Sequence, residues 1–342
     1  SDLSFNYSAY DDAISVSARF LTETQDAAMA LLKGSLVAPS FTDVALNRVR
    51  AQVLAGLKSD SKDPDSIVSQ RFDALAFGDH PYGSRAEGTI DSVSALTQDQ
   101  IRAAHLGTLV RDRVYASAVG DITAEQLTTL LDSLLSDLPQ SGRPMPSKVA
   151  YKLDGGTTVV DFDTPQSVAI FAQRGIERDH PDFFAAYLVN QILGGGSFES
   201  RLMEEVREKR GLTYGVSSYL LPKDFSHLYI GRVASANDRI AEAVAVIRAE
   251  WTRMADHGVT QDELRRAKTY LTGSYPLRFD GNGPIANIMV GMQMQGLPVA
   301  YINNRNDKIN AVTLQDANRV ARQLLDPAGL HFVVVGRPEG LE

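Results

Sequence analysis

Two side chains that can donate hydrogen bonds follow a run of glycines in the second half of the chain. Arg207 and Tyr214 lie seven residues apart in the stretch from Gly194 to Tyr214, GGGSFESRLMEEVREKRGLTY. The charged part of this stretch predicts a short helix that ends at Gly211, because glycine readily adopts the left-handed conformation of a helix C-cap. The extended sequence TYGVSSYLL follows, so we expect the chain to reverse and to bring Arg207 near Tyr214.

The spacing of Arg207 and Tyr214 has two interpretations. In the simpler one, the arginine stabilises the negative end of the helix dipole and the tyrosine is an aromatic residue at the edge of the core. In the other, the two donors serve a binding or catalytic site together. Spacing alone favours the simpler interpretation, so the choice depends on the rest of the sequence.

The charge balance excludes several classes of partner. The chain has 342 residues, with 34 Lys and Arg against 42 Asp and Glu, and its net charge is −8. It lacks the clustered basic face that is typical of nucleic-acid binding. No apolar run approaches the roughly 18 residues of a membrane span. We therefore expect neither a nucleic-acid partner nor a membrane span.

Residue types that usually form catalytic or metal sites are sparse. There is no cysteine, which excludes disulfides and thiol nucleophiles. This absence fits any compartment but favours an exported bacterial protein, so the expected location is the periplasm. None of the six histidines lies three to five residues from another, so no helix carries a histidine pair for zinc. A Gly-x-Ser-x-Gly elbow and a phosphate-binding Gly-Lys-Ser/Thr motif are also absent.

The second half of the chain repeats the first at a nearly constant offset. SVSALTQDQI resembles KINAVTLQDA, and the register continues until Gly120 of VYASAVGD pairs with Gly336, 216 residues later. Upstream, FTDVALNRVRAQVL resembles VTQDELRRAKTYLT, with Leu46 paired with Leu264, 218 residues later. Self-similarity at a fixed period is typical of a duplicated domain.

Local patterns predict both strands and helices in each copy. AISVSARF alternates apolar and polar residues and predicts a strand, and YASAVGD and HFVVVG predict short buried strands that end at glycine. FTDVALNRVRAQVL has helical periodicity. The predicted fold class is therefore α+β, with two tandem similar domains. We place the first at 1–138, a linker rich in Pro, Ser and Gly at 139–149, and the second at 150–342.

The two copies differ in length before their matching strands. Roughly 75 residues precede HLYIGRV in the second copy, but only about 12 precede AISVSARF in the first. The repeat therefore predicts that roughly 60 residues of the first domain lie outside this chain. The first domain would then be truncated at its N-terminus and begin part-way through its sheet.

The chain resembles the pitrilysin/insulinase family of zinc peptidases over nearly its whole length. LGGGSFESRLMEEVREKRGLTYGVSSY is similar to the signature of the family's C-terminal half. APSFTDVALNRVRAQVLAGLKSDSKDPDSIV, HPYGSRAEGTIDSVSALTQDQI and SAVGDIT occur in the family's order. The resemblance implies a duplicated α/β sandwich of the zinc processing-peptidase type, whose two domains face one another around a chamber.

The resemblance also implies roles for the residues with which we began. In that family, an arginine and a tyrosine seven residues apart help to bind substrate and to polarise the scissile carbonyl. These roles fall on Arg207 and Tyr214, and the glycine loop of Gly194, Gly195 and Gly196 is expected to bind substrate. A guanidinium is a fixed fork of donors, and a phenol can donate to a developing oxyanion.

The zinc-binding half of a family site is not found. The family's H-x-x-E-H motif supplies two histidine ligands and a glutamate base, and it would fall in the segment predicted to be missing. A third ligand, a glutamate, lies eight residues before the proline of a D-x-P-like turn. Counting back from Pro64 gives Gly56, after Ala55, and neither can bind zinc. Glycine here suggests a close contact, or drift after loss of function.

Three hypotheses of function follow. In the first, the chain is a non-catalytic subunit of a bacterial heterodimeric zinc metallopeptidase and is inactive alone. It binds no cofactor itself, holds a peptide or unfolded protein by β-augmentation at a sheet edge, and lends Arg207 and Tyr214 to zinc on a homologous partner subunit, or acts as a homodimer. In the second, it is a structural or assembly core protein like those of respiratory complexes. In the third, it is an active zinc endopeptidase whose H-x-x-E-H segment is absent here. Retention of both Arg207 and Tyr214 favours the first.

Overall fold

A computed structural model describes residues 3–195 and 199–341 of the chain. The chain divides into two compact units, each built from three separate segments. One boundary between the units follows residue 145, within the predicted linker 139–149. Unit 1 consists of Ser1–Lys58, Ala86–Met145 and Leu277–Val299, and unit 2 consists of Ser59–Arg85, Pro146–Pro276 and Ala300–Glu342.

The described residues contain seven β-strands and twelve α-helices. The strands are β1 Ser4–Ala9, β2 Ile14–Arg19, β3 Thr157–Asp161, β4 Gln166–Arg174, β5 Val216–Pro222, β6 His227–Ala236 and β7 His331–Gly336. The helices are α1 Gln25–Val37, α2 Asp43–Asp60, α3 Pro64–Phe77, α4 Ile90–Ala95, α5 Gln98–Thr108, α6 Ala124–Leu135, α7 Phe183–Gly194, α8 Ile240–His257, α9 Gln261–Gly273, α10 Asn282–Met294, α11 Tyr301–Ala311 and α12 Leu314–Leu324.

Unit 1 is mainly helical and has one small sheet. β1 and β2 form an antiparallel pair, and β2 confirms the strand predicted in AISVSARF. Leu32 and Leu36 of α1 and Leu134 of α6 form a buried cluster, against which Phe5 of β1 packs. The apolar stripe of α1 therefore joins the hairpin to α6, as expected for a helix with one buried face.

The strand predicted in YASAVGD of unit 1 is wrong. Residues 115–119 have no regular secondary structure, and α10 contacts this segment. The Ser117 hydroxyl donates to the Ala286 carbonyl at 2.8 Å, and the Gln293 side-chain amide donates to the Ala116 carbonyl at 2.9 Å. Contacts with a helix therefore satisfy polar groups here that would bond to a neighbouring strand in a sheet.

Unit 2 contains a five-stranded mixed sheet in the order β3-β7-β4-β6-β5. β3 pairs with β7 in parallel, and the other three neighbouring pairs are antiparallel. β7 confirms the strand predicted in HFVVVG. β5 lies at one edge of the sheet, so within it β5 pairs with β6 alone.

The central strands of this sheet are buried on both faces. Val168 and Ile170 of β4 lie in a cluster with Phe72 of α3. The alternate residues Ala169 and Phe171 lie in a second cluster with side chains of α7, α8, α9 and α12. Successive side chains of a strand point to opposite faces, so β4 reads as a continuous apolar run and needs helices on both sides.

The fold is thus mixed α/β, with helices packed on a mixed sheet. Positions that pair in the predicted repeat also share local geometry. Gly120 and Gly336 have φ angles of 148° and 150°, values that residues other than glycine rarely adopt. Thr97 and Thr313, also 216 residues apart, each open a helix with a capping box. The arrangement as two tandem similar domains stays a prediction.

A partly buried ion pair fixes the start of α9 in unit 2. Thr260 caps the helix in a capping box with Glu263, and Arg201 donates to both carboxylate oxygens of Glu263, at 2.6 and 2.8 Å. Burial opposes ionisation of Glu263, but the hydrogen bonds from Arg201 and Thr260 outweigh it and lower the pKa of Glu263 from 4.5 to about 2. The carboxylate therefore stays charged in the folded state.

We predict that this carboxylate makes stability depend on pH. Because its pKa is lower in the folded chain than in the unfolded chain, its contribution is complete above about pH 5 and declines as the pH falls toward 2. The contribution amounts to at most roughly 3 kcal/mol, less where solvent screens the pair. Urea unfolding is measured at pH 7, 4 and 3. At pH 7 the free energy of unfolding of Glu263→Gln should be lower than that of wild type, and this difference should become smaller at pH 4 and pH 3.

Glu23 is exposed and provides the matched control for loss of one carboxylate. The free energy of unfolding of Glu23→Gln should be close to that of wild type at pH 7. A gap between Glu263→Gln and wild type that stays constant from pH 7 to pH 3 would contradict the assignment. It would mean that the substitution acts through packing and not through the charge.

Candidate functional site

Arg207 lies in a π-helical turn, Met203–Glu208. The Lys209 amide donates to the Glu204 carbonyl at 2.9 Å, five residues earlier, which is the spacing of a π-helix. Met203 and Val206 of this turn are buried in the core of unit 2. The wider turn was not predicted, because the apolar spacing of the segment is the same for an α-helix.

The π-helical turn ends at Glu208, and Gly211, three residues later, has the left-handed conformation predicted from the sequence. Its φ angle is 59°, and its amide donates to the Arg207 carbonyl at 2.7 Å. The Leu212 amide donates to the Val206 carbonyl at 2.9 Å. These bonds satisfy carbonyls that a helix end would otherwise leave unpaired. The chain therefore reverses directly after the turn that carries Arg207.

The loop that carries Tyr214 is anchored to two successive residues of β6, Ala234 and Ser235. The Thr213 hydroxyl donates to the Ala234 carbonyl at 2.6 Å, and the Ser235 hydroxyl donates to the Leu212 carbonyl at 2.5 Å. Leu212 itself is only 3% exposed. Backbone on the N-terminal side of Tyr214 is thus held at two successive residues.

The Tyr214 side chain projects into solvent from this anchored loop. It is 88% exposed, so the interpretation of Tyr214 as an aromatic at the core edge is wrong. Arg207 is 34% exposed in its side chain, and its Nε lies 3.4 Å from a Glu208 carboxylate oxygen. The reversal at Gly211 therefore leaves both predicted site residues accessible on consecutive parts of the chain.

The first two glycines of the predicted loop have packing reasons. Gly194 is the last residue of α7, and a Cβ there would lie 2.3 Å from the Ser218 hydroxyl and 2.9 Å from Leu202. A Cβ at Gly195 would lie 2.6 Å from the Gln191 side-chain oxygen. Gly196 lies outside the described residues. Substrate binding by Gly194, Gly195 and Gly196 stays a prediction.

Gly56 lies on an exposed part of α2 in unit 1. A Cβ at this position would meet no atom within 4 Å, so the suggestion that glycine permits a close contact is wrong. Within residues 3–195 and 199–341, no group of three or more His, Asp or Glu side chains could hold a metal ion. The same residues include no helix long and apolar enough to cross a membrane.

Sequence comparison defines the class of protein. The family model described as the peptidase M16 inactive domain matches residues 95–271. The chain therefore belongs to this family, and the resemblance drawn from its motifs is confirmed. The match includes the turn of Arg207, the loop of Tyr214 and the glycines before them, but it assigns no role to any of these residues.

Individual relatives place the chain more closely. It is 26% identical over 97% of its length to a Helicobacter pylori protein named non-peptidase homolog YmxG. It is 27% identical over 88% of its length to an uncharacterized zinc protease of Streptomyces coelicolor, and 30% identical over 81% to one of Mycobacterium tuberculosis. The chain spans 77% of the Helicobacter protein but only 66% and 64% of the other two.

Solved structures give the same fold. A crystal structure of a peptidase M16 inactive domain from Pseudomonas fluorescens covers 99% of this chain and 82% of its own, with a TM-score of 0.89 and 27% identity. A chain of complex III from Candida albicans covers 98% and 82%, with a TM-score of 0.79 and 15% identity. The second likeness shows the fold alone. Together these matches support a non-catalytic protein of the M16 type.

We predict that Gly56→Ala stabilises the protein. A glycine inside a helix is less favourable than alanine by about 0.5–1 kcal/mol, and open space around Gly56 offers no compensating contact. Chemical denaturation should therefore show a higher free energy of unfolding. Gly231→Ala is the contrasting variant, because its Cβ would lie 2.2 Å from Phe171. A destabilised Gly56→Ala protein would reveal a contact at Gly56 that the structure lacks.

We also predict that this chain alone holds no stoichiometric zinc. The expected glutamate ligand is replaced by Gly56, and the described residues offer no alternative cluster. Equilibrium dialysis against zinc, followed by metal analysis, should give far less than one zinc per chain. One tightly held zinc per chain would contradict the prediction and favour the hypothesis of an active peptidase.

Proposed function

We propose that this chain is a non-catalytic subunit of a heterodimeric zinc peptidase. It binds a peptide or unfolded protein and presents Arg207 and Tyr214 to a zinc site on a partner chain. The observation that carries the proposal is the position of Tyr214, a fully accessible phenol on a loop that is anchored by Thr213 and Leu212. Folding alone gives no reason to expose a large aromatic side chain there.

The anchored loop suits a hydrogen-bond donor for a reacting carbonyl. Such donors work best when they are held in place before charge develops, because no reorganisation is then needed in the transition state. Arg207 lies in a π-helical turn, and π-helical turns occur often at functional sites. Its guanidinium can bind the substrate carbonyl region with more than one N–H group.

A peptide substrate fits the edge of the sheet next to Tyr214. β5 begins two residues after Tyr214 and lies at the edge of the five-stranded sheet. An extended peptide can add to such an edge through main-chain hydrogen bonds, which tolerate many side chains. A peptide on β5 would therefore run along the strand that follows Tyr214.

The zinc would come from a homologous subunit, or from a second copy in a homodimer. The names of the relatives support a division of labour, since one is named a non-peptidase homolog and others are named zinc proteases. We place the pair in the bacterial periplasm, on the basis that the chain contains no cysteine. No cofactor is assigned to this chain.

The rival is a structural or assembly core protein of the same fold. The complex III chain of Candida albicans shares the fold at 15% identity, which gives no functional argument. A scaffold does not require Arg207 and Tyr214 to be accessible. An active single-chain zinc endopeptidase is the third possibility, and exposed Gly56 at the expected ligand position weighs against it.

The test of the proposal is loss of the Tyr214 hydroxyl. The chain is co-purified with a homologue from the same genome that contains H-x-x-E-H, and cleavage of unfolded casein is measured. Tyr214→Phe should lower kcat by about 10²–10³, the typical effect of removing one oxyanion donor. Tyr270→Phe, at a tyrosine that is 55% exposed on α9, should leave kcat unchanged.

Arg207→Lys extends the same test. We expect a strong loss of activity, because an ammonium group does not reproduce the planar fork of a guanidinium. Co-purification and the thermal midpoint should stay near wild type for both site variants. A complex that cleaves casein at the wild-type rate with Arg207 and Tyr214 both replaced would refute the proposal and favour the scaffold.

A further inference from the structure

The end of α7 is fastened to β5 by one buried serine. The Ser218 hydroxyl donates to the Asn190 side-chain oxygen at 2.9 Å. Ser218 is 2% exposed and Asn190 is 4% exposed, so water cannot replace this bond. Loss of one partner would leave the other buried and unsatisfied, which is more unfavourable than the bond itself is favourable.

The same serine touches α7 again one turn later. A Cβ at Gly194 would lie 2.3 Å from the Ser218 hydroxyl and 3.0 Å from the Ser218 amide. Only a glycine therefore lets the helix end approach the strand this closely. Asn190 and Gly194 are four residues apart and lie on one face of α7, so Ser218 contacts this face at two points.

The path from Ser218 to Tyr214 is short and ordered. Val216, between them, is 3% exposed and pairs with Val233 of β6. Ser218 pairs with Gly231 of the same strand. Together with the anchored Thr213, the pairs of Val216 and Ser218 hold the chain between the loop of Tyr214 and the contact of Ser218 with α7.

We propose that Ser218 is a positioning residue that sets the place of the Tyr214 loop against the glycine end of α7. Asn190 and Gly194 are the two points on α7 that Ser218 uses. A substitution at Gly194 should therefore displace the Tyr214 loop through β5. The consequence for activity rests on the proposed function, whereas the mechanical coupling does not.

The surroundings of Ser218 leave it little room to move. The fully buried Tyr229 hydroxyl lies beside the Ser218 hydroxyl, and no described group makes a well-aligned hydrogen bond to it. Burial raises the pKa of Tyr229, so its phenol stays neutral.

The coupling is tested first in the isolated chain by hydrogen–deuterium exchange. Gly194→Ala should increase exchange by about tenfold or more in peptides covering 212–218, because an overpacked buried contact weakens local structure. Gly273→Ala is the matched control. Gly273 also ends a helix of unit 2, α9, but its Cβ would meet nothing within 4 Å, so exchange at 212–218 should stay unchanged.

The assignment to Ser218 is tested by a double-mutant cycle. Ser218→Ala removes the nearest atom that the Cβ of Gly194→Ala would strike, the hydroxyl oxygen at 2.3 Å, and leaves the longer contacts with Leu202 and the Ser218 amide. In that background, Gly194→Ala should therefore increase exchange at 212–218 far less than it does in wild type. Equal effects of Gly194→Ala in both backgrounds, or no effect beyond that of Gly273→Ala, would overturn the proposal.

Kinetics of the reconstituted complex separate this inference from the proposed function. If Ser218 positions Tyr214, Gly194→Ala should lower kcat and leave KM for casein near wild type, since the Tyr214 contact forms in the transition state. Adding Ser218→Ala should recover part of kcat. Coupled exchange with no effect of Tyr214→Phe on kcat would uphold the positioning and refute the function. Loss of kcat in Tyr214→Phe without coupled exchange would uphold the proposed function and refute the positioning by Ser218.

Discussion

The structure of unit 2 depends on burial of its central strands on both faces. β4 sends Val168 and Ile170 to one side and Ala169 and Phe171 to the other, and both sets lie in apolar clusters. Burial of an apolar side chain stabilises by roughly 1.5–3 kcal/mol, so neither face can be left open to water. Helices of the second half cover one face, and α3, from the first half of the chain, covers the other.

This buried sheet fixes the position of the loop that carries Tyr214. The loop of Tyr214 is attached to β6 through the hydroxyls of Thr213 and Ser235, and β6 pairs on its far side with β4, whose residues are buried except at the two ends. The exposed loop is therefore attached to the sheet of unit 2 next to its buried central strands. Sites built on rigid elements hold their geometry better than sites on free loops, and here a loop gains rigidity from two hydrogen bonds to β6, at Leu212 and Thr213.

Local features of the fold could be predicted from the sequence, and contacts between distant segments could not. Gly211 was predicted as a left-handed cap because a single residue type determines that conformation. By contrast, YASAVGD has the composition of a strand, but α10 contacts it, and nothing in either segment indicates that pairing. The packing of α3 on the sheet of unit 2 is equally hidden, since an apolar stripe does not specify its partner. Ser218 gave no signal either, because a strand serine is usually a surface residue.

A predicted site residue supports the proposed function only where packing or local structure does not already explain it. Gly194 and Gly195 are explained by close packing against Ser218 and Gln191, so glycine at those positions would be required even in a pure scaffold. Arg207 has an ion-pair partner in Glu208, and its place in the last turn also fits the simpler interpretation of a charge that favours a helix C-terminus. Tyr214 alone has neither a burial nor a described hydrogen bond that accounts for it. An anchored loop that exposes a phenol suits the proposed donor to an external carbonyl, so Tyr214 supports the proposed function more strongly than the glycine loop does.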